Sequence, residues 1–440
     1  MKPLLLKKQV LSWALYDWAN SAFSTTVMAG FFPVFYSILS ADISTRDSQF
    51  WFNITLAASS ILIAIAAPLL GAIADRGGER KKFLATFAML GIIMSAALAW
   101  VQGGMWWVGL IIYGLGQIGF SGGNIFYDSM IVDVAEQDDL DLVSGYGYAL
   151  GYFGGGLLFL LNVLMVTRPA MFGIADAGTA LSYAFLTVGI WWAVFTIPLL
   201  INVREPVHSE RVSAVKAITL GWRQLIDTFA EIRKLRVVLV FLAAYWLYID
   251  GVGAIIKMAV FFASRVLQLP QESLITALLV TQFVAFPAAL FFGWLGKQIG
   301  PKPGILLGLF VYTMAIIYAW GWLDSSADFY KLAVAIGLVQ GGVQSLSRSL
   351  FARIIPISKA AEFFGFFNMV GKFASVLGPL LMAFVPVVIA GASERDAILV
   401  LVLLFVSGGL LLLRVNVEQG ATIADSMDKP TIPVNSWNRQ

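Results

Sequence analysis

Residues 121–133 read SGGNIFYDSMIVD and residues 341–353 read GGVQSLSRSLFAR. Laid over each other they bring Gly122 onto Gly342. The same offset brings SGYGYALGYFGG, from Ser144, onto FFGFFNMVGKFAS, with Gly145 on Gly365 and Gly151 on Gly371. A second match sets GAIADRGGERK, from Gly71, opposite the looser GWLGKQIGPKP, from Gly293. All of these stretches lie in or beside long apolar runs. Two similar halves of this kind are what parallel-repeat carriers are built from, with the solute site at the interface between the halves near the bilayer midplane.

The surroundings of these motifs are too apolar for a soluble fold. The 440 residues are 59% hydrophobic and 12% charged, with a mean hydropathy of +0.83, so most of the surface must face lipid. A bilayer core takes about 20 mostly apolar residues per helix. Windows of that kind fall at 10–39, 52–74, 83–101, 106–132, 143–166 and 180–202, and again at 237–263, 272–296, 303–322, 330–353, 363–391 and 396–414. The expected fold is therefore an all-α integral membrane protein of about twelve transmembrane helices in two pseudo-symmetric six-helix bundles. The bundles are 1–202 and 237–414, joined by a linker at 203–236 and followed by a tail at 415–440 that is expected to be largely disordered. Within the linker, Ile218, Trp222, Leu225, Phe229 and Ile232 recur at helical spacing among basic residues, the pattern of a helix lying on the inner leaflet.

Cytoplasmic loops carry the excess of Lys and Arg. With both termini inside, the outer loops keep only Arg46, Arg168, Arg265, Lys331 and Arg395 of the 29 Lys and Arg, and Lys257, Arg348 and Lys372 fall within spans. The opening MKPLLLKKQV runs into the first span without a small-residue cleavage site and reads as mature sequence. With no cysteine, this favours a bacterial inner membrane. The same lack removes disulfides and thiol chemistry, and the single histidine, His208, gives a metal little to bind, so neither a cofactor nor an enzymatic activity is expected. The scattered charge, net +3, makes no continuous patch for nucleic acid. Nothing marks an oligomeric interface, and a monomer is a workable unit.

GAIADRGGERK closely resembles the major facilitator loop signature between helices two and three, Gly-x-x-x-Asp-Arg-x-Gly followed by basic residues. SWALYDWANSAFSTTV near the amino terminus, YIDG in span seven, and GGVQSLSRSLFARIIP leading into AEFFGFFNMVGKFASVLGP are similar to the vacuole effluxer-like branch of that superfamily. The resemblance covers most of the chain and implies transport more firmly than it implies a solute. The best-known activity in the branch is export of amino acids from a fungal vacuole. In the second copy of the loop, Lys297 and Gln298 stand where Asp and Arg would be expected, so the resemblance does not carry gating to it.

Several residues are candidates for mechanism. In span one, Asp17, Asn20, Ser21 and Ser24 make a polar stripe along one helical face beside Tyr16, and a carboxylate in a span points to a cavity or a partner. Span seven holds Trp246, Asp250 and Lys257 on one face, with Tyr245 and Tyr248 close by. Asp250 there either binds solute or coupling ion or simply holds Lys257 in an ion pair. Gly71, Asp75, Arg76, Gly78, Arg80 and Lys81 form a candidate gating loop, in which Gly71 permits close helix approach and Asp75 can sit at another helix's amino terminus. The repeat places Asp128 and Asp133 opposite Arg348 and Arg353, which suggests ion pairs around a cytoplasmic gate, with Glu362 and Lys372 in the same set. The acids after span four, Glu136, Asp138, Asp139 and Asp141, are expected to meet basic groups such as Lys359 or Lys372. The alternative is that each charge is satisfied within its own half.

The expected function is a secondary carrier working by alternating access, proton-coupled, that exports a small amino acid-like solute. A lipid, drug or cell-wall fragment as solute, or a non-transporting scaffold or sensor, stays open at this level because fold does not decide function.

Overall fold

In the computed structural model, residues 2–205, 235–265, 267–374, 377–388 and 393–428 are described. Most of the linker, with its amphipathic stretch, lies outside them. The first half holds α1 (Lys8–Leu39), α2 (Thr45–Gly77), α3 (Arg80–Trp100), α4 (Trp106–Ser129), α5 (Leu140–Thr167) and α6 (Ala177–Asn202). The second holds α7 (Arg236–Arg265), α8 (Gln271–Ile299), α9 (Pro301–Trp322), α10 (Ser326–Arg353), α11 in two segments (Ala360–Phe373 and Leu377–Val388) and α12 (Arg395–Leu413). A further helix, α13 (Val417–Asp428), follows.

Lipid offers no hydrogen bonds, so a spanning backbone must satisfy itself within helices. Among the described residues nine helices are long and apolar enough to cross a membrane by composition alone. The other three of the twelve are α4, α10 and the interrupted α11. Each carries charged or amide side chains in its span: Gln117, Asn124 and Asp128 in α4, Gln340, Gln344 and Arg348 in α10, and Asn368 and Lys372 in α11. The polar side chains of these helices are buried or half-buried, and α3, α6, α9 and α12 show lipid a row of apolar side chains such as Ile93, Ile197, Phe310 and Leu410.

Two boundaries differ from the sequence-based expectation. α2 begins at Thr45, well before its apolar window, because the Ser44 hydroxyl caps it by accepting from Asp47 N at 3.1 Å. Residues 417–428 are helical where a disordered tail was expected, and Asp428 anchors them: its carboxylate accepts from Ile357 N at 2.6 Å and Ser358 N at 3.1 Å.

The halves meet where α2 packs on α11 and α5 packs on α8 and α10. Small residues allow this. A Cβ on Gly71 would lie 2.2 Å from Ala361 O, and one on Gly145 would lie 2.7 Å from Gly293 Cα. Gly78, at φ 60°, ends α2 in the left-handed conformation that favours glycine. With an even number of spans, both chain ends and the α2–α3 and α10–α11 turns share one face, here called the terminal face.

Candidate functional site: a cavity between the halves

A cavity of about 450 Å³ lies between the halves, within the range of small-molecule sites. From the first half it is lined by Asp17, Asn20, Ser21, Ser24, Asn124, Asp128 and Tyr148, and from the second by Tyr245, Gln282, Gln340, Gln344, Arg348 and Asn368. Its polar groups gather toward the terminal face. Ala259, Leu274, Ala277 and Phe329, nearer the opposite face, give it an apolar wall. In α1 the backbone beside the cavity is wound as a π-helix over Phe23–Phe31, a form that shifts side-chain register and recurs at functional sites.

The floor is a charge cluster. Arg348, 1% exposed, donates from Nη1 to Asp128 Oδ1 at 3.0 Å, and the same nitrogen lies 3.6 Å from Asp17 Oδ2. Its Nε and Nη2 reach Ser144 Oγ at 2.9 Å and Ser144 O at 3.0 Å. The guanidinium carbon stands over the rings of Tyr148, Trp13 and Tyr127, 4.4, 4.8 and 5.3 Å from their centroids, contacts that favour a cation further. Two carboxylates thus face one guanidinium. Asp128 has the nearer Arg348 contact and a second bond from Asn368 at 3.3 Å. Asp17 accepts from Tyr127 Oη at 3.0 Å through Oδ2, and its Oδ1 takes no hydrogen bond among the described residues.

Below the cavity the terminal face is closed by contacts between the halves. Asp75 sits at the amino terminus of α11, accepting from Ala361 N at 3.1 Å and Glu362 N at 2.8 Å, where backbone donors are free and the helix dipole favours an anion. Arg80 donates to Asp75 at 2.7 Å, to Asp133 at 3.1 Å and to Ile357 O at 3.1 Å. Asp141 accepts from Arg353 at 2.7 Å and from Ser349 at 2.5 Å. Lys297 meets Asp139 at 2.5 Å.

These placements sort the expected residues. Asp128 and Arg348 are paired across the halves as the repeat suggests. Asp133 is not paired with Arg353. It lies just past the end of α4, facing the α2–α3 turn, and receives Arg80 of its own half, while Arg353 at the end of α10 faces the start of α5 and takes Asp141. Of the acids after α4, Asp141 meets Arg353 and Asp139 meets Lys297, rather than the Lys359 or Lys372 named from sequence, while Glu136 and Asp138 are exposed. Lys81 holds the start of the linker, donating from N to Glu205 at 2.7 Å and from Nζ to Val203 O at 2.8 Å, and burial pushes the Glu205 carboxyl above its ordinary range. Arg76 and Gly78 are partly exposed beside it, and Glu362 is buried.

In α7 the candidates diverge. Tyr245 lines the cavity, whereas Tyr248 is buried with its hydroxyl 2.7 Å from Ser347 Oγ. Trp246 is 41% exposed on the outside of the bundle, and Lys257 is exposed too. Asp250 does not line the cavity. Its two oxygens accept from Leu377 N at 2.8 Å and Gly378 N at 3.0 Å, which caps the second segment of α11. Tyr16 and Lys372 also lie outside the lining, Tyr16 being packed against Tyr127, 5.1 Å between centroids.

The family model for "Vacuole effluxer Atg22 like" proteins matches residues 38–425. The chain belongs to this family. Among its relatives, an uncharacterized major facilitator-type transporter of Bacillus subtilis, YxiO, is 37% identical over 96% of this chain and 98% of its own length. Autophagy-related protein 22 of Yarrowia lipolytica is 28% identical over 65% of this chain and 52% of its own. Among solved structures, the human organic anion transporter MFSD10 superposes with a TM-score of 0.70 at 15% identity, covering 92% of this chain and 99% of that one. The proton:xylose symporter XylE gives 0.67 at 15%, covering 96% and 98%. The chain is accordingly a multi-pass transporter of the major facilitator type.

In this Atg22-like protein, sequence reasoning overlooked Asn124, Tyr148, Gln282, Gln340, Gln344 and Asn368. A usable signal was present: Gln340, Gln344 and Arg348 recur at every fourth position, which lines up one face of α10. Amide side chains in a span are costly to leave facing lipid. Weighing them alongside the charges would have outlined the cavity.

Proposed function

We propose that this transporter carries a small zwitterionic, amino acid-like solute in exchange for protons, with Asp17 as the group that both must occupy. The observation that carries the reading is the cluster's surplus carboxylate, with Asp17 lining a cavity of a size for small molecules. An ammonium group satisfies that carboxylate, and the amides of Gln340 and Gln344 can donate to a solute carboxylate. A proton on Asp17 removes the charge that the ammonium needs. Proton and solute therefore compete for one group, and competition for one site in an alternating-access cycle gives exchange, hence export against an inward proton gradient. The distribution of Lys and Arg supports a cytoplasmic terminal face in a bacterial inner membrane. The effluxer name of the family agrees with the reading without deciding the solute.

Binding of radiolabelled neutral amino acids to the purified protein tests it. Affinity is expected to fall by up to about tenfold per pH unit below the titration of Asp17, as competition with one proton requires, and to be lost in Asp17→Asn. Binding that ignores pH, or survives the substitution at full strength, overturns the assignment.

A further inference from the structure

We propose that Arg348 is the positioning residue that reports the occupancy of Asp17 to the lock on the terminal face, so that the carrier opens there only when Asp17 is neutralised. The inference rests on the proposed role of Asp17. Arg348 belongs to the second half, yet the polar groups it holds, on Asp17 of α1, Asp128 of α4 and Ser144 of α5, all belong to the first. It stands between cavity and lock. Asp17 and Asp128 line the cavity, whereas Ser144 also donates to Ser345 O at 2.7 Å. Ser349, next in the chain, and Arg353, more than a turn nearer the terminal face, hold Asp141.

Electrostatics gives the sign. Both carboxylates lie on one half and the guanidinium on the other, so an empty, ionised Asp17 adds to the attraction that holds the halves together. A proton or a solute ammonium on Asp17 cancels that part and leaves Arg348 to Asp128 and Ser144. An empty carrier is then locked, and a loaded one can open. Each opening of the terminal face therefore requires a proton or a solute on Asp17.

The ionisable groups facing Asp17 are Tyr16 on α1, Asp128 and Tyr127 on α4, Tyr148 and Tyr152 on α5, and Arg348 on α10. Tyrosine and arginine do not titrate near neutrality, and Asp128 is the carboxylate held closer to the guanidinium. That leaves Asp17 to take the proton.

The chain has no cysteine, so spin labels at Lys82→Cys and Gln298→Cys, exposed on the terminal face of opposite halves, report its opening by pulsed dipolar distance measurement. With native Asp17 and Arg348, a long-distance population is expected to grow as pH falls. Asp17→Asn is expected to show it at every pH. Arg348→Gln is expected to lose the pH response, and Arg348→Lys to recover part of it, which a merely structural role would not produce. Ser144→Ala is expected to shift the baseline while keeping the response. An unchanged pH response in Arg348→Gln overturns the proposal. If the response follows Arg348 but no amino acid alters the distances, the link stands and the solute assignment fails. If amino acids bind through Asp17 but Arg348→Gln responds as the native pair does, the reverse holds.

Discussion

Asp75 and Lys297 occupy the same place in the two copies of one loop, and they close it with opposite charges. Asp75 binds the free backbone donors of α11, and Lys297 binds a carboxylate of the first half. Removing Asp75 leaves Arg80 with one carboxylate fewer and two buried amides without an acceptor. Breaking a buried pair of this kind costs about 3–5 kcal/mol. Asp75→Ala is expected to lower the unfolding temperature in detergent and to raise opening at the terminal face in the spin-label measurement. An unchanged thermal midpoint contradicts the contacts described. Asp250 gives the contrasting case. As a helix cap its replacement by Ala is expected to cost about 0.5–2 kcal/mol and to leave the ratio of protons to solute unchanged. Loss of coupling with an intact thermal midpoint would return Asp250 to the role considered from sequence. A charge in a span announces that a partner exists, but sequence does not say whether that partner is a solute or a helix end. That is why Asp17 and Asp250 looked alike until their neighbours were known.

At the scale of elements, the turn between α10 and α11 is held from both sides. Arg80 takes Ile357 O, and α13 reaches back through Asp428 to Ile357 N, Ser358 N and Ser358 Oγ. Asp428→Ala removes all three acceptor contacts, so hydrogen exchange at the amides of Ile357 and Ser358 is expected to quicken while α10 itself stays protected. Equal protection in the variant would mean that α13 does not hold the turn. Gly71 sets the approach of α2 to α11. Gly71→Ala must push backbone apart, since Ala361 O cannot move as a side-chain end does. Overpacking of this sort costs about 1–3 kcal/mol, and transport is expected to fall with it. The loop signature was legible because spaced glycines and an aspartate have a use that positive-inside topology does not explain. α13 was not, because its polarity resembles that of a tail and its anchor, Asp428, gains meaning only from a turn some seventy residues earlier in the chain.

For the whole molecule, hydrophobic windows and the internal repeat were enough to place twelve spans and two halves. Which face of each polar helix meets which neighbour is set by packing between halves, and the repeat pairs equivalent positions rather than touching ones. Arg348 and Asp128 are both equivalent and touching, whereas Arg353 and Asp133 are only equivalent. With the terminal face closed by Asp75, Asp139, Asp141 and Ser144, the cavity lining reaches toward the opposite face, the state in which the proposed exchanger, with its terminal face cytoplasmic, releases solute and takes up a proton. The most direct measurement of that account uses the purified protein in liposomes with an internal pH dye, a panel of neutral amino acids on one side, and Asp17→Asn in parallel. The account predicts proton movement opposite to the amino-acid gradient in the native protein and none in the variant. Proton movement of equal size in both would contradict it, and so would amino-acid flux in the native protein that moves no protons.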